Sequence, residues 1–305
     1  MSGRPILVTG AHRSGSTWAG KTIASSPSVG YIREPFGLHH RRGVLDVRFP
    51  YWFPYIAREN EGPYLQPMRD MLAFRYRMGA GLGSSRVPRD LALVAHDRME
   101  FARFRRRGAR PLMKDPIAVF SAEWLADRFG MQVVALIRHP AAFASSLKKY
   151  GWTHPFDHFA RQPLLMRDLL YGYEDEVARF SRSEQDTVDQ AILLWRLIHS
   201  AIATYRERHA DWHFARHEDL SRDPVEGFRQ IFGFLDVPFT TEIERGIAGA
   251  TAQGNPAEVS DAGVLKRDSL AGIWTWKARL APEEIERIRK GTDPLWRRFY
   301  SEDDW

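Results

Sequence analysis

Nine consecutive residues carry the strongest chemical signal in this 305-residue chain: Gly10-Ala11-His12-Arg13-Ser14-Gly15-Ser16-Thr17-Trp18. They follow the apolar run Ile6-Leu7-Val8-Thr9 and open a stretch, Thr17 to Ser26, whose only breaker before Pro27 is Gly20. A strand, a glycine-bearing loop and a helix in that order turn backbone N–H groups and a helix N-terminus toward one spot, which is an anion site. An ATP-binding loop of this spacing carries a lysine where this chain has Ser16, so ATP and GTP hydrolysis lose ground. A nucleotide kinase or NTPase stays as the alternative reading, with Lys21 standing in for the missing lysine or Asp115 for a metal ligand.

A second run, Val133-Val134-Ala135-Leu136-Ile137, ends in Arg138, and Ser146 follows eight positions later with Ser145 beside it.

The elements that must hold these groups are strands and helices in alternation. Pro140 stands at a favoured first helical position and Gly151 at a stop, so a second strand–loop–helix unit runs from Gln132 to Gly151. Pro111-Leu112-Met113-Lys114 and Trp212-His213-Phe214-Ala215 read as two more short strands. The expected fold is therefore α/β, a doubly wound parallel sheet flanked by helices and similar to P-loop NTPases, with ligands at the carboxyl ends of the strands. Thr187 to Arg206 spaces Ala191, Leu194, Trp195, Ile198, Ala201, Ile202 and Tyr205 at steps of three and four, a long helix with Trp195 in the core. Pro282-Glu283-Glu284 opens a short helix that Lys290-Gly291 closes. Residues 36–110 are rich in arginine and aromatics, Phe49, Tyr51, Trp52, Phe53 and Tyr55 among them. They are read as a helical insertion beside the strand ends that shapes an acceptor pocket, within a single domain spanning 1–305.

The first loop resembles the 5′-phosphosulfate loop of sulfotransferases that use 3′-phosphoadenosine 5′-phosphosulfate (PAPS). That loop has a basic residue, then Ser-Gly-Ser/Thr-Thr, often with Trp, as in Arg13-Ser14-Gly15-Ser16-Thr17-Trp18. Arg138 and Ser146 resemble the family's pair for the cofactor's 3′-phosphate. Lys266-Arg267, before Gly272-Ile273-Trp274-Thr275-Trp276-Lys277, is similar to a third 3′-phosphate element, with the basic pair reversed and Asp268 in place of its glycine. The resemblance implies PAPS as donor, no metal, and an acceptor hydroxyl on a small molecule or a carbohydrate.

Two branches of that family differ in the group that takes the acceptor proton. The cytosolic branch has a histidine two residues after a strand-end lysine, whereas here Lys114 is followed by Asp115-Pro116. The tyrosylprotein branch has a glutamate just after the first helix, and Glu34, 21 positions after Arg13, aligns with it. Glu34 is thus the implied base, with Arg33 and Arg13 expected near it to favour its ionised form. Lys114 resembles the lysine that contacts the transferring group. His12, His39, His40 and His139 are rival bases, because histidine titrates in the useful range.

Composition narrows the classes. With no cysteine the chain has no thiol nucleophile, disulfide framework or thiolate metal site. Residues 1–110 hold 19 Lys and Arg against 8 Asp and Glu, and the remainder hold 25 against 30, so the first third draws anions. A non-catalytic polyanion binder using Arg103-Phe104-Arg105-Arg106-Arg107 is the reading from another class, but such a run is usually a solvated helix face. No apolar run reaches the ~18 residues of a membrane span, and Ile6 follows too short a leader for a secretory signal. A cytoplasmic protein with no nucleic-acid partner is the expectation, and the oligomeric state is left open.

Overall fold

The computed structural model describes residues 3–257 and 266–305. Five strands, β1 (Ile6–Gly10), β2 (Val29–Arg33), β3 (Arg110–Lys114), β4 (Gln132–Ile137) and β5 (His213–Arg216), form one sheet. The order is β2-β3-β1-β4-β5 and every pairing is parallel. A parallel sheet needs a crossover between neighbours, and these crossovers put helices on both faces, so its central strands are apolar throughout. In β1 and β4 the alternation sorts side chains between two cores. Leu7, Val133, Ala135 and Ile137 pack toward the helices Ala122–Phe129, Pro140–Tyr150 and Thr187–Arg208. Ile6, Val8, Val134 and Leu136 pack toward the helices Ser16–Ile23 and Pro224–Phe234.

The doubly wound α/β expectation is therefore met, and its strands differ from the expected runs by about a residue. The strand β2 was not anticipated: Val-Gly-Tyr-Ile-Arg is short, carries Gly30 and lies at the sheet edge, where neither run length nor alternation marks it. The first helix runs from Ser16 to Ile23, ending three residues short of the breaker-based limit. The expected stop at Gly291 is corrected: the helix Pro282–Thr292 passes through it, and a Cβ there would lie 2.8 Å from Ile192 Cγ2. That glycine admits the neighbouring long helix instead of ending its own. The insertion is helical only in part, since residues 36–61 have no regular element before the helices Gly62–Leu72, Met78–Ser84 and Pro88–Arg106.

Trp195 is fully buried, as its spacing implied, and its indole N–H donates to the Arg138 carbonyl at 2.9 Å. Burying such a side chain is worth ~1.5–3 kcal/mol and the bond ~1 kcal/mol more. The long helix is thereby fixed to the end of β4, where a site residue emerges. Among the described residues no helix is long and apolar enough to cross a membrane.

Candidate functional site

The carboxyl end of β1, between β3 and β4, is where the strand order reverses and where a doubly wound sheet opens its crevice. The nine-residue loop occupies this point. Arg13 (φ 65°) and Gly15 (φ 89°) both take left-handed backbone, and a Cβ on Gly15 would lie 2.5 Å from His217 Nδ1. Only glycine fits a place that combines that φ with that approach. The helix it opens has no side-chain cap, so its first N–H groups remain available at the loop. The Ser14 hydroxyl is buried with no hydrogen-bond partner among the described residues. Trp18 turns its side chain into the core against Phe228 and His217.

Three guanidinium groups converge here. Arg13 Nε donates to Ser146 Oγ at 2.9 Å, and its guanidinium lies over the rings of Tyr150 (4.6 Å) and Trp152 (5.6 Å). Arg138 donates to the Arg13 carbonyl, while its Nε has no partner among the described residues. Burial pushes the Arg138 pKa down; the carboxylate of buried Glu218 opposes this, and Arg13 and Arg267 add to it. Burial and Arg13 likewise push Arg267 down, and its Nε is also unpaired. Buried like charges with unspent donors are a costly arrangement that an anion of several charges would relieve. Glu218 itself is held by the Tyr300 hydroxyl (2.8 Å) and the His139 N–H (3.1 Å). Of the two serines, Ser146 meets Arg13 and Ser145 accepts from Arg279 at 2.9 Å. Lys266 is exposed.

On the other side of the loop, Lys114 at the end of β3 has no exposed surface. Its stem passes under the first helix, where a Cβ on Gly20 would be 2.8 Å from Lys114 Cγ. Lys114 Nζ donates to Thr17 Oγ1 at 3.0 Å and forms an ion pair with Glu34 Oε1. Burial lowers the Lys114 pKa and the Glu34 carboxylate opposes it. Glu34 leaves β2 with φ 46°, its N–H donating to the Lys114 carbonyl at 2.8 Å, and its side chain is 39% exposed. Arg33 Nε lies 3.8 Å from Glu34 Oε2, as expected. The other cation on Glu34 is Lys114, a pairing that only the β2–β3 register creates, and Arg13 is spent on Ser146 instead. Asp115 accepts the N–H groups of Phe36 (2.7 Å) and Ile117 (3.0 Å) and so ties the segment after Glu34 to β3. Burial pushes the Asp115 pKa up to about 7 against those two bonds.

Glu34 lines a cavity of about 850 Å³ with mainly apolar walls, Trp52, Phe53, Phe101, Ile117 and Leu194 among them. The insertion supplies much of the wall, and the segment Trp152-Thr153-His154-Pro155 closes another side. His12 lines it too and packs against Phe53, Phe143 and Trp152; burial, then Arg13, lowers its pKa to about 4. His154 packs against Phe53, and burial holds it neutral. Among the other rival bases, His39 is exposed at the cavity. The two ring nitrogens of His40 lie 2.6 and 2.9 Å from the carbonyls of Gly37 and Leu45, so it pins that loop. His139 stacks on Trp276, among Tyr300 and Trp305, and burial takes its pKa to about 3. His217 and the 152–155 segment gave no signal in sequence, because each acts through a neighbour far along the chain. Among the described residues no cluster of three His, Asp or Glu is placed to hold a metal ion.

No known protein family's profile matches the chain, and no curated protein matches it. Among solved structures, a sulfotransferase domain from the curacin biosynthetic pathway is 17% identical, covering 95% of this chain and 97% of its own, with a TM-score of 0.47. A mouse sulfotransferase complexed with PAP is 12% identical over 99% of this chain and 86% of its own, also at 0.47. A sulfotransferase from Alicyclobacillus acidocaldarius is 16% identical over 97% and 94%, at 0.44. Likenesses at that distance assign no chemistry, which is left to the residues themselves.

Proposed function

We propose that this chain is a PAPS-dependent sulfotransferase that moves a sulfuryl group to a hydroxyl of an acceptor held in the cavity. The observation that carries the reading is one polar chain, Thr17 Oγ1 to Lys114 Nζ to Glu34 Oε1, joining the anion loop to the cavity's carboxylate. The donor has a 5′-phosphosulfate and a 3′-phosphate, and two groups of donors are available to hold them. The loop from Ser14 through Trp18, with its uncapped helix and free Ser14 hydroxyl, suits the first. Arg138, Ser146, Arg267 and the neighbouring Lys266 suit the second. The unpaired Nε atoms of Arg138 and Arg267 and the crowding of three arginines support that fit.

In the transfer, the acceptor oxygen forms a bond to sulfur as the bond from sulfur to the 5′-phosphate oxygen breaks, and the bonding pair leaves with that oxygen. Glu34 takes the acceptor's proton. Arg13, fixed by Ser146 and two aromatic faces, stabilises charge on the leaving phosphate, and Lys114 that on the sulfuryl oxygens. A sulfuryl group carries less charge than a terminal phosphoryl, so arginine, lysine and hydroxyl donors suffice without a metal.

The test is calorimetric titration with 3′-phosphoadenosine 5′-phosphate in EDTA, beside ATP with magnesium. Tight binding of the bisphosphate, weakened ~10–100-fold by Arg138→Ala as charge-assisted bonds are lost, is expected. Binding of ATP but not of the bisphosphate would overturn the reading in favour of phosphoryl transfer.

A further inference from the structure

The helix Pro88–Arg106 has two apolar faces, and the core covers one of them. Its inner face buries Val94, Phe101 and Phe104, and the two phenylalanines line the cavity. On the outer face Leu91, Ala95, Met99 and Ala102 recur at steps of four, four and three, which brings them onto one stripe. Leu91 is 50% and Met99 65% exposed, and Leu82 and Val87, just before the helix, are exposed as well. Four of the nine exposed large apolar side chains among the described residues thus fall within residues 82–99, a cluster and not the usual scatter. Arginines border the stripe on both sides. Residues seven apart on an α-helix lie almost above one another, since 3.6 residues make a turn. Arg98 and Arg105 therefore run along one edge, and Arg89, His96 and Arg103 along the other. Residues 86–107 hold seven arginines against three acids, and the acids are engaged: Asp90 on the N–H groups of Arg86 and Val87, Asp97 on Arg41, and Glu100 on Arg103. Exposed Arg98, Arg105 and Arg106 form no ion pair among the described residues.

We infer that this outer face seats the chain on an anionic lipid surface, with the arginines on headgroup phosphates and Leu91 and Met99 in the boundary beneath them. An apolar stripe bordered by arginine is what a helix lying in the plane of a bilayer interface presents. Guanidinium groups fork onto phosphate oxygens, and the negative potential of such a surface draws them. A soluble polyanion would meet the arginines and leave the stripe in water. A twofold partner would set arginine against arginine. The inference stands on exposed side chains of one helix and is independent of the transfer reading. The helix then carries lipid on its outer face and the cavity wall on its inner one.

The full chain is sedimented with vesicles of phosphatidylcholine alone and with vesicles that also hold about 30% phosphatidylserine, an anionic lipid. The expected result is binding to the anionic vesicles at least ~10-fold tighter than to the neutral ones, weakening as salt rises. Each arginine near such a surface adds about fivefold, so Arg98→Gln with Arg105→Gln should weaken binding ~25-fold. Leu91→Ser with Met99→Ser should weaken it ~10-fold or more, because apolar burial in the boundary is lost. Unchanged thermal unfolding shows that each double variant is folded, as exposed positions permit. Should either not fold, Arg105→Gln and Met99→Gln take their places singly. Equal binding to the two kinds of vesicle, or binding to neither, would overturn the inference. Anionic binding that the Leu91 and Met99 variant keeps in full would overturn it in favour of a purely electrostatic polyanion site. A dimer that this variant makes monomeric, with no vesicle binding, would overturn it in favour of a second copy of the chain. No nucleotide enters the assay, so its failure leaves the transfer reading untouched.

Discussion

In the phosphate loop nine neighbouring residues bring their own donors, and the strand and helix on either side fix them in place. In the cavity the walls come from segments scattered between His12 and Leu194, so groups far apart in sequence share one space. Buried Lys114 is bonded to both, through Thr17 on one side and Glu34 on the other. The contrast has a physical origin. Backbone N–H groups bind any oxyanion, so a short motif suffices for the donor. An acceptor is discriminated by shape and by a few side chains, which must be gathered from wherever the fold brings them.

Glu34→Gln separates the two halves most sharply. The rate of transfer should fall ~10²–10⁴-fold, the usual worth of a general base, while bisphosphate affinity stays within about twofold because Glu34 belongs to the acceptor side. Parallel turnover and calorimetry check this, and an unchanged rate would move the base to His39 or another cavity group.

Acid should act on both halves through buried histidines. His139 and His199 titrate at about 3 in the folded chain and His12 at about 4, all below the ordinary 6.5, with burial as the main cause. Above 6.5 they are neutral folded or unfolded and their contribution is complete. As pH falls from there toward 4 and 3, the unfolded chain takes up protons that the folded chain refuses, and stability is lost. Asp115, raised to about 7 from 3.8, works in the opposite sense: its contribution is present at low pH and lost as pH rises toward 7. These histidines, joined by His154 and His217, which burial also holds well below 6.5, outweigh one aspartate, so the unfolding free energy should be lower at pH 5 than at pH 7 by at least roughly 2–4 kcal/mol. Denaturant titrations at the two pH values measure it, with His139→Phe flattening the profile; equal stability would refute the assignment.

Gly15→Ala tests the donor side alone. The left-handed φ and the approach of His217 should lower stability by ~1–3 kcal/mol and weaken the bisphosphate more than any cavity ligand. Thermal unfolding with and without each ligand checks this. The smallest effect concerns two adjacent residues. Arg267→Ala should weaken bisphosphate binding ~10-fold, whereas exposed Lys266→Ala should change it less than about threefold, since solvent screens an exposed charge. Equal losses would mean the pair acts as a diffuse patch and not through one buried donor.

The sequence by itself determined the sheet's alternating elements and the loop at the end of β1. All of these follow from runs of a few residues, in which apolar periodicity and glycine placement act locally. The family resemblance, not local pattern, singled out Arg138 with Ser146, and Glu34 with Lys114. The tertiary structure alone decided that Glu34 and Lys114 form an ion pair, because only the parallel register of β2 on β3 sets Arg33 beside Lys114 and Glu34 just past it. It chose between Ser146 and Ser145 by the way one helix face turns toward Arg13 and another toward Arg279. It also withdrew His40 and His139 from the list of bases by giving them packing partners. The aromatic-rich insertion pointed to an acceptor region, but which of its residues meet His12, His154 and Leu194 in the cavity wall was decided only by contacts between segments far apart in the chain.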